Sequence, residues 1–222
     1  MNNNKITFVS FLYFKEGGIK KLEEFQAKAD LYFKKYGIEI LYQYQPISKG
    51  QIGANQNNIE QPDMIQIFTA ESMANFQTYM ADEDVKKLAE IRNSGLRKMN
   101  VSFGTETQTT DIISASAKNA SHGIALVNFK DSLGYDQLIE FNQKGKSSGL
   151  FSKYGIHAEN FVKIIKSMPA IGELDYQQPE LIVIFGADDA TKMKEYVADS
   201  AYQKLAPIRD NALNSYHFFM CK

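Results

Sequence analysis

Two arginines occupy matched places in this chain. Arg92 ends the run Lys87-Leu88-Ala89-Glu90-Ile91-Arg92, and Arg209 ends Lys204-Leu205-Ala206-Pro207-Ile208-Arg209, 117 positions later. A guanidinium presents a planar fork of donors that suits a carboxylate, so each can anchor an acidic ligand. Each also closes a helical run, where a cation complements the helix dipole and bonds the last carbonyls. Tyr79 and Tyr196 repeat at the same offset, with rings suited to packing between helix and sheet and hydroxyls near a rim. His157 follows Gly155-Ile156 at the start of a strand, and Glu39 stands at the matching place after Gly37-Ile38. An imidazole titrates near neutrality and, partnered by a carboxylate near a shared cavity, can move a proton. His157 is therefore the catalytic candidate; Arg92, Arg209, Tyr79, Tyr196 and Glu39 are the ligand-binding candidates. His122 reads as a linker-end residue and His217 as a structural residue of the last strand.

Other chemistries lack their residues. With one cysteine, Cys221, and no His-x-x-x-His or His-x-x-Glu-His, no dedicated transition-metal site is expected. Gly-x-Ser-x-Gly and Walker-type loops do not occur, so hydrolase and nucleotide readings have no motif. The 222 residues carry 25 Lys+Arg against 26 Asp+Glu, which leaves no basic footprint for nucleic acid. The apolar opening segment Ile6 to Phe14 is far short of the about 20 residues that span a bilayer, and no small-residue cleavage site follows it. No membrane partner and a cytoplasmic location are expected.

The elements that position the candidates repeat with them. Gln61 to Phe68, QPDMIQIF, recurs as Gln178 to Phe185, QPELIVIF, and Tyr79-Met80-Ala81-Asp82 recurs as Tyr196-Val197-Ala198-Asp199, both 117 positions on. Lys35-Tyr36-Gly37-Ile38 recurs as Lys153-Tyr154-Gly155-Ile156 at an offset of 118. The chain reads as a tandem duplication. Residues 1–104 form the first repeat, 105–121 a Thr-, Ser- and Ala-rich linker, and 122–222 the second repeat.

Each repeat reads strand, helix, strand, strand, helix, strand. Ile19, Leu22, Phe25, Ala29 and Tyr36 recur at helical spacing, and Gly37 follows where a left-handed cap wants no Cβ. Ile38 to Tyr44 is a strand, Ser48 to Gln61 a polar loop, and Asp63 to Thr69 a strand. The second helical stretch pauses at Asp82 and restarts, and Asp82 and Asp199 can cap the restarted helices. This order gives a ferredoxin-like sheet with two helices on one face. The strands do not alternate: Phe8 to Phe14, Ile124 to Phe129, Ile65 to Phe68 and Leu181 to Phe185 read as apolar on both faces, so both faces must be covered. The economical cover is the other repeat's sheet. The expected fold class is α+β: two tandem ferredoxin-like βαββαβ repeats packed sheet to sheet as a barrel.

Tyr196-Val197-Ala198-Asp199-Ser200-Ala201-Tyr202-Gln203-Lys204-Leu205-Ala206-Pro207-Ile208-Arg209 resembles the second-helix signature of the domain-of-unknown-function family numbered thirteen-thirty. The first repeat keeps Leu88 and Arg92 but has Asp84-Val85 for Ala201-Tyr202 and Glu90 for Pro207. That family lies in the dimeric α+β-barrel superfamily, where two ferredoxin-like subunits pair their sheets. The resemblance implies a pseudo-dimer within one chain. It fixes no activity, since the superfamily includes cofactor-free mono-oxygenases, haem-degrading enzymes and lactone isomerases.

Two functions follow. In one, the protein is a small-molecule-binding or non-catalytic barrel. In the other, it is a cofactor-free mono-oxygenase or isomerase for a small apolar or aromatic substrate, with His157 or a tyrosine as acid-base group and Arg92 or Arg209 as anchor. The lack of Trp and of a catalytic constellation favours the first. No cofactor is expected; haem would require His157 to point inward with open space above it. Outer strands would permit further homo-oligomerisation.

Overall fold

The computed structural model describes residues 5–53, 59–107 and 121–222. The first repeat runs β1 (Ile6–Phe14), α1 (Gly18–Lys35), β2 (Ile38–Tyr44), β3 (Pro46–Gly53), β4 (Met64–Ala70), α2 (Met73–Ala81), α3 (Glu83–Ser94) and β5 (Leu96–Thr107). The second runs β6 (Ser121–Phe129), α4 (Gly134–Ser147), α5 (Leu150–Tyr154), β7 (Ile156–Ile171), β8 (Leu181–Ala187), α6 (Ala190–Ala198), α7 (Ser200–Ala212) and β9 (Leu213–Cys221).

Two compact units result, and they are not coextensive with the repeats. The first takes Met1–Gln45, Pro62–Glu106 and Ile164–Gln178; the second takes Pro46–Gln61, Thr107–Lys163 and Pro179–Lys222. In the first the strand order is β2-β4-β1-β5, with the C-terminal part of β7 beside β5. In the second it is β7-β8-β6-β9-β3. In both, the central four strands have the antiparallel ferredoxin-like order, and the fifth comes from the other repeat.

That fifth strand corrects one expectation. Ser48 begins a stretch expected as loop, yet Pro46–Gly53 is β3, because the edge of β9 supplies partners from Cys221 to Ser215 for its backbone groups. Residues 54–58 of the expected loop lie outside the described residues. At the expected linker, β5 continues through Thr105, Glu106 and Thr107 and β6 begins at Ser121. Residues 108–120 lie outside the described residues.

The repeated sequence blocks have a common structural purpose. Gly37 and Gly155 take φ of 62° and 60°, the left-handed region that ends the first helical stretch of each repeat. The residues before them hold the next helix. Asp82 Oδ1 caps α3 by accepting from the amides of Asp84 (3.0 Å) and Val85 (3.4 Å). Its Oδ2 accepts from Tyr36 Oη (2.7 Å) and Lys35 Nζ (3.2 Å). Asp199 does the same for α7 through the Ala201 amide, Tyr154 Oη and Lys153 Nζ, each at 2.7 Å.

Each unit has its own core. In the first, Phe8, Leu12, Leu22, Phe25, Ala29, Met99 and Val101 pack helices onto the sheet. In the second, Ala125, Val127, Leu138, Phe141, Val183, Tyr196 and Tyr202 do so. β1 is buried on both faces from Ile6 to Tyr13, as its continuous apolar run requires. One strand departs from that reading: Gln66, inside the apolar run of β4, is a buried amide on the same face as Phe68.

Candidate functional site

The first unit encloses a cavity of about 140 Å³ between its helices and its sheet. β1, β4 and β5 form the floor through Phe8, Gln66, Phe68 and Met99, while α1, α2 and α3 close it with Phe25, Phe76, Tyr79 and Arg92. Phe8 stacks on Phe68, with ring centroids 4.7 Å apart, and leans on Phe76 at 4.2 Å. Ser10, paired across the sheet with Gln66, lies on the same strand face as Phe8 and Leu12, and its buried Oγ has no partner among the described residues. Burial pushes the Tyr79 hydroxyl up to about 12, so it stays protonated and can donate. Arg92 Nε and Nη2 donate to Asn93 Oδ1 at 3.0 and 2.9 Å, and the guanidinium lies 5.2 Å from the centre of the Phe25 ring.

The second unit encloses a cavity of about 130 Å³ at the matching place. Its register shows the correspondence: Phe8 opposes Phe68 and Phe103, and Gly123 opposes Phe185 and Met220. Where the first unit has the Phe8 ring, the second has the Phe185 ring lying over Gly123; a Cβ there would sit 2.0 Å from the Phe185 Cζ. Polarity is placed differently too. Ser10 and Gln66 give way to Ala125 and Val183, while the opposite wall gains Tyr202 and Tyr216 where the first unit has Val85 and Met99.

Arg209 organises that wall. Its Nη1 donates to Tyr202 Oη at 2.6 Å, and Nε and Nη2 donate to Asp210 Oδ1 at 2.9 and 2.7 Å. Burial alone would lower its pKa, but Tyr202, Asp210 and Tyr216 together hold it above the ordinary value. Burial is also the main force raising Tyr196 far above the usual phenol range and Tyr216 to about 12. The rings of Tyr196 and Tyr202 sit 4.5 Å apart. All three hydroxyls are neutral at physiological pH and offer hydrogen bonds to an oxygen placed in the cavity.

The candidates therefore separate into two groups. Arg92 and Tyr79 meet in the first cavity; Arg209, Tyr196 and His157 meet in the second. The expectation of one cavity shared by His157 and Glu39 is corrected. Both occupy the same register position, Glu39 opposite Thr69 and His157 opposite Gly186. Glu39, however, lies between the cavity-lining Ile38 and Ile40, so the alternation of β2 turns it outward, where its side chain is 68% exposed and 3.9 Å from Lys5 Nζ. His157 Nε2 lies 3.1 Å from Asp188 Oδ1, and Nδ1 is buried without a partner among the described residues. With the proton on Nε2, Nδ1 is a bare acceptor.

His122 sits within β6 rather than at a linker end, opposite Gly186 and Cys221. His217 is buried in β9, with its pKa lowered by burial and by Lys49, and lines neither cavity. The residues that sequence reasoning passed over are Asn93 and Asp210. They stand 117 positions apart beside the repeated arginines, and that shared offset was the available signal.

No family model matches the chain, and no curated protein matches it. Solved structures do match. A candidate monooxygenase from Lactobacillus acidophilus NCFM is 13% identical, with a TM-score of 0.53, over 99% of this chain and 93% of that one. An anthrone oxidase-like protein is 11% identical, with a TM-score of 0.60, over 100% of this chain and 92% of that one. Chlorite dismutase from Candidatus Nitrospira defluvii is 7% identical, with a TM-score of 0.60, over 100% and 92%. This likeness shows the fold. It is the dimeric α+β-barrel fold, with two ferredoxin-like units. No helix among the described residues is long and apolar enough to cross a membrane.

Haem is the cofactor that this superfamily brings into question, and the residues present do not fit it. The second cavity, of about 130 Å³, is below half of the roughly 300 Å³ at which pockets for drug-sized ligands begin. The His157 Nε2 that an axial bond would use is engaged by Asp188. Among the described residues no group of three or more His, Cys, Asp or Glu is placed to hold a metal ion.

Proposed function

We propose that the chain is a small-molecule-binding protein whose two helix-to-sheet cavities each take one small apolar or aromatic molecule. The observation that carries this reading is the pair of cavities itself: two matched apolar hollows, each with one arginine and one buried tyrosine hydroxyl in its wall. An apolar cavity of about 150 Å³ accepts benzene, so single-ring molecules are the right size. Calorimetric titration with phenol and benzyl alcohol tests it. Saturable binding with a raised Tm is expected; no saturable binding of either compound would refute it.

A second reading, cofactor-free mono-oxygenase or isomerase, is favoured by the unpaired Nδ1 of His157 in the wall of the second cavity. The neighbours described as a candidate monooxygenase and as anthrone oxidase-like agree with it. There His157 would take a proton from a bound phenol-like substrate, and Arg209 with its tyrosines would hold the resulting anion. Oxygen uptake with an anthrone-type substrate is the assay, and His157→Gln is expected to lower the rate by about 100-fold or more.

The proposal extends to the chain's organisation. It is a tandem pseudo-dimer of repeats 1–104 and 122–222 joined by linker 105–121, acting in the cytoplasm, with an affinity to the family numbered thirteen-thirty carried by the α6–α7 sequence. Further homo-oligomerisation would use its outer strands.

A further inference from the structure

The two arginines make the same pair of hydrogen bonds to different partners. In each unit Nε and Nη2 converge on the Oδ1 of the following residue. In the second unit that residue is Asp210, and the ion pair at 2.7 Å neutralises Arg209, whose Nη1 is also taken by Tyr202. In the first unit it is Asn93, an amide. Arg92 makes no ion pair among the described residues, and its Nη1 has no partner there, since Val85 stands where the second unit has Tyr202. Burial lowers its pKa, but a guanidinium stays protonated at neutral pH. The first cavity therefore holds an unneutralised cation with a free donor against an aromatic wall.

We propose that the first cavity is an anion site for a small aromatic carboxylic acid, bound as its carboxylate, while the second takes only neutral ligands. This rests on the small-molecule-binding reading above and specifies it. The ring would occupy the apolar space between Phe8, Phe25 and Phe76, and one carboxylate oxygen would accept from Arg92 Nη1. A charge-assisted bond out of water supplies the preference. In the second cavity the same carboxylate would meet Asp210 behind an arginine already satisfied, and like-charge repulsion would exclude it.

Methionine methyl groups report each cavity separately. Met80, Met99 and Met168 line the first; Met193 and Met220 line the second. The protein labelled with ¹³C-methyl methionine is titrated at neutral pH with benzoate and with benzyl alcohol. Benzoate is expected to move the first-cavity signals alone. Asn93→Asp should weaken benzoate there by about tenfold or more and leave benzyl alcohol unchanged. The exposed position of Asn93, and the acid already at its counterpart, make loss of folding no obstacle. Asp210→Asn should bring benzoate into the second cavity. Benzoate affinity unchanged by Asn93→Asp, or benzoate shifting Met193 and Met220 in the native protein, would overturn the proposal. Benzyl alcohol bound without benzoate would overturn it and leave the binding reading standing; no shift with either would refute both.

Discussion

The two units share a frame and differ in where each keeps its polarity. In the first, polar groups lie in the floor, with Ser10 and Gln66 under an otherwise aromatic hollow, and the arginine at the wall faces a neutral amide. In the second the floor is apolar and the wall is a closed network of Arg209, Asp210 and Tyr202, with Tyr196 and Tyr216 beside it. What has not changed is the scaffold: a left-handed glycine, a Lys-Tyr pair and the capping aspartate it holds. Drift has been tolerated at the cavities and resisted at the helix junctions, which places the functional difference inside the cavities.

The largest way to break the comparison is Phe8→Ala. Phe8 is 1% exposed and stacks against Phe68 and Phe76, so the substitution should cost about 3–5 kcal/mol in chemical denaturation. The second unit has no equivalent loss to suffer, since Gly123 already stands there and the Phe185 ring fills the space. Tyr202→Phe sharpens the contrast in the other direction. It leaves Arg209 Nη1 without its 2.6 Å acceptor in a nearly buried wall and should cost about 1–3 kcal/mol by the same measurement, whereas Val85 at the matching place has no such bond to lose.

The smallest effect should be equal in both units. The Tyr36 hydroxyl, opposed by partial burial and helped by Lys35 and the helix amides, holds Asp82 down at about 2; Lys153 and Tyr154 hold Asp199 lower still. A carboxyl depressed in the folded state contributes stability that is complete above its unfolded value of about 4 and is lost as pH falls through its folded value. Tm should therefore fall between about pH 4 and pH 2. Replacing either aspartate by Asn should remove part of that acid dependence, to the same extent in each unit.

Most of the scaffold was legible because its signals are local. The helical stripe from Leu22 to Ala29, the glycine after it and the aspartate before α3 each act within one or two turns. Pairing at a distance was not legible. Ser48-Lys49-Gly50-Gln51 has no apolar period, and becomes a strand only because β9 presents an open edge to it. The same limit governs the site. Repetition singled out Arg92, Arg209, Tyr79 and Tyr196, and all four line cavities. Glu39 matched His157 in register, but strand alternation sends it to the surface. Asn93 and Asp210 were visible as a difference of one residue type; their meaning lies in the geometry of the neighbouring guanidinium, which no spacing reveals.

Crystals pressurised with xenon would test the central claim most directly. Two hollow apolar cavities predict one xenon site in each unit, ringed by Phe8, Phe68 and Phe76 in the first and by Phe141, Phe185 and Tyr196 in the second. Absence of xenon from both, with side chains filling the space between helices and sheet, would contradict it.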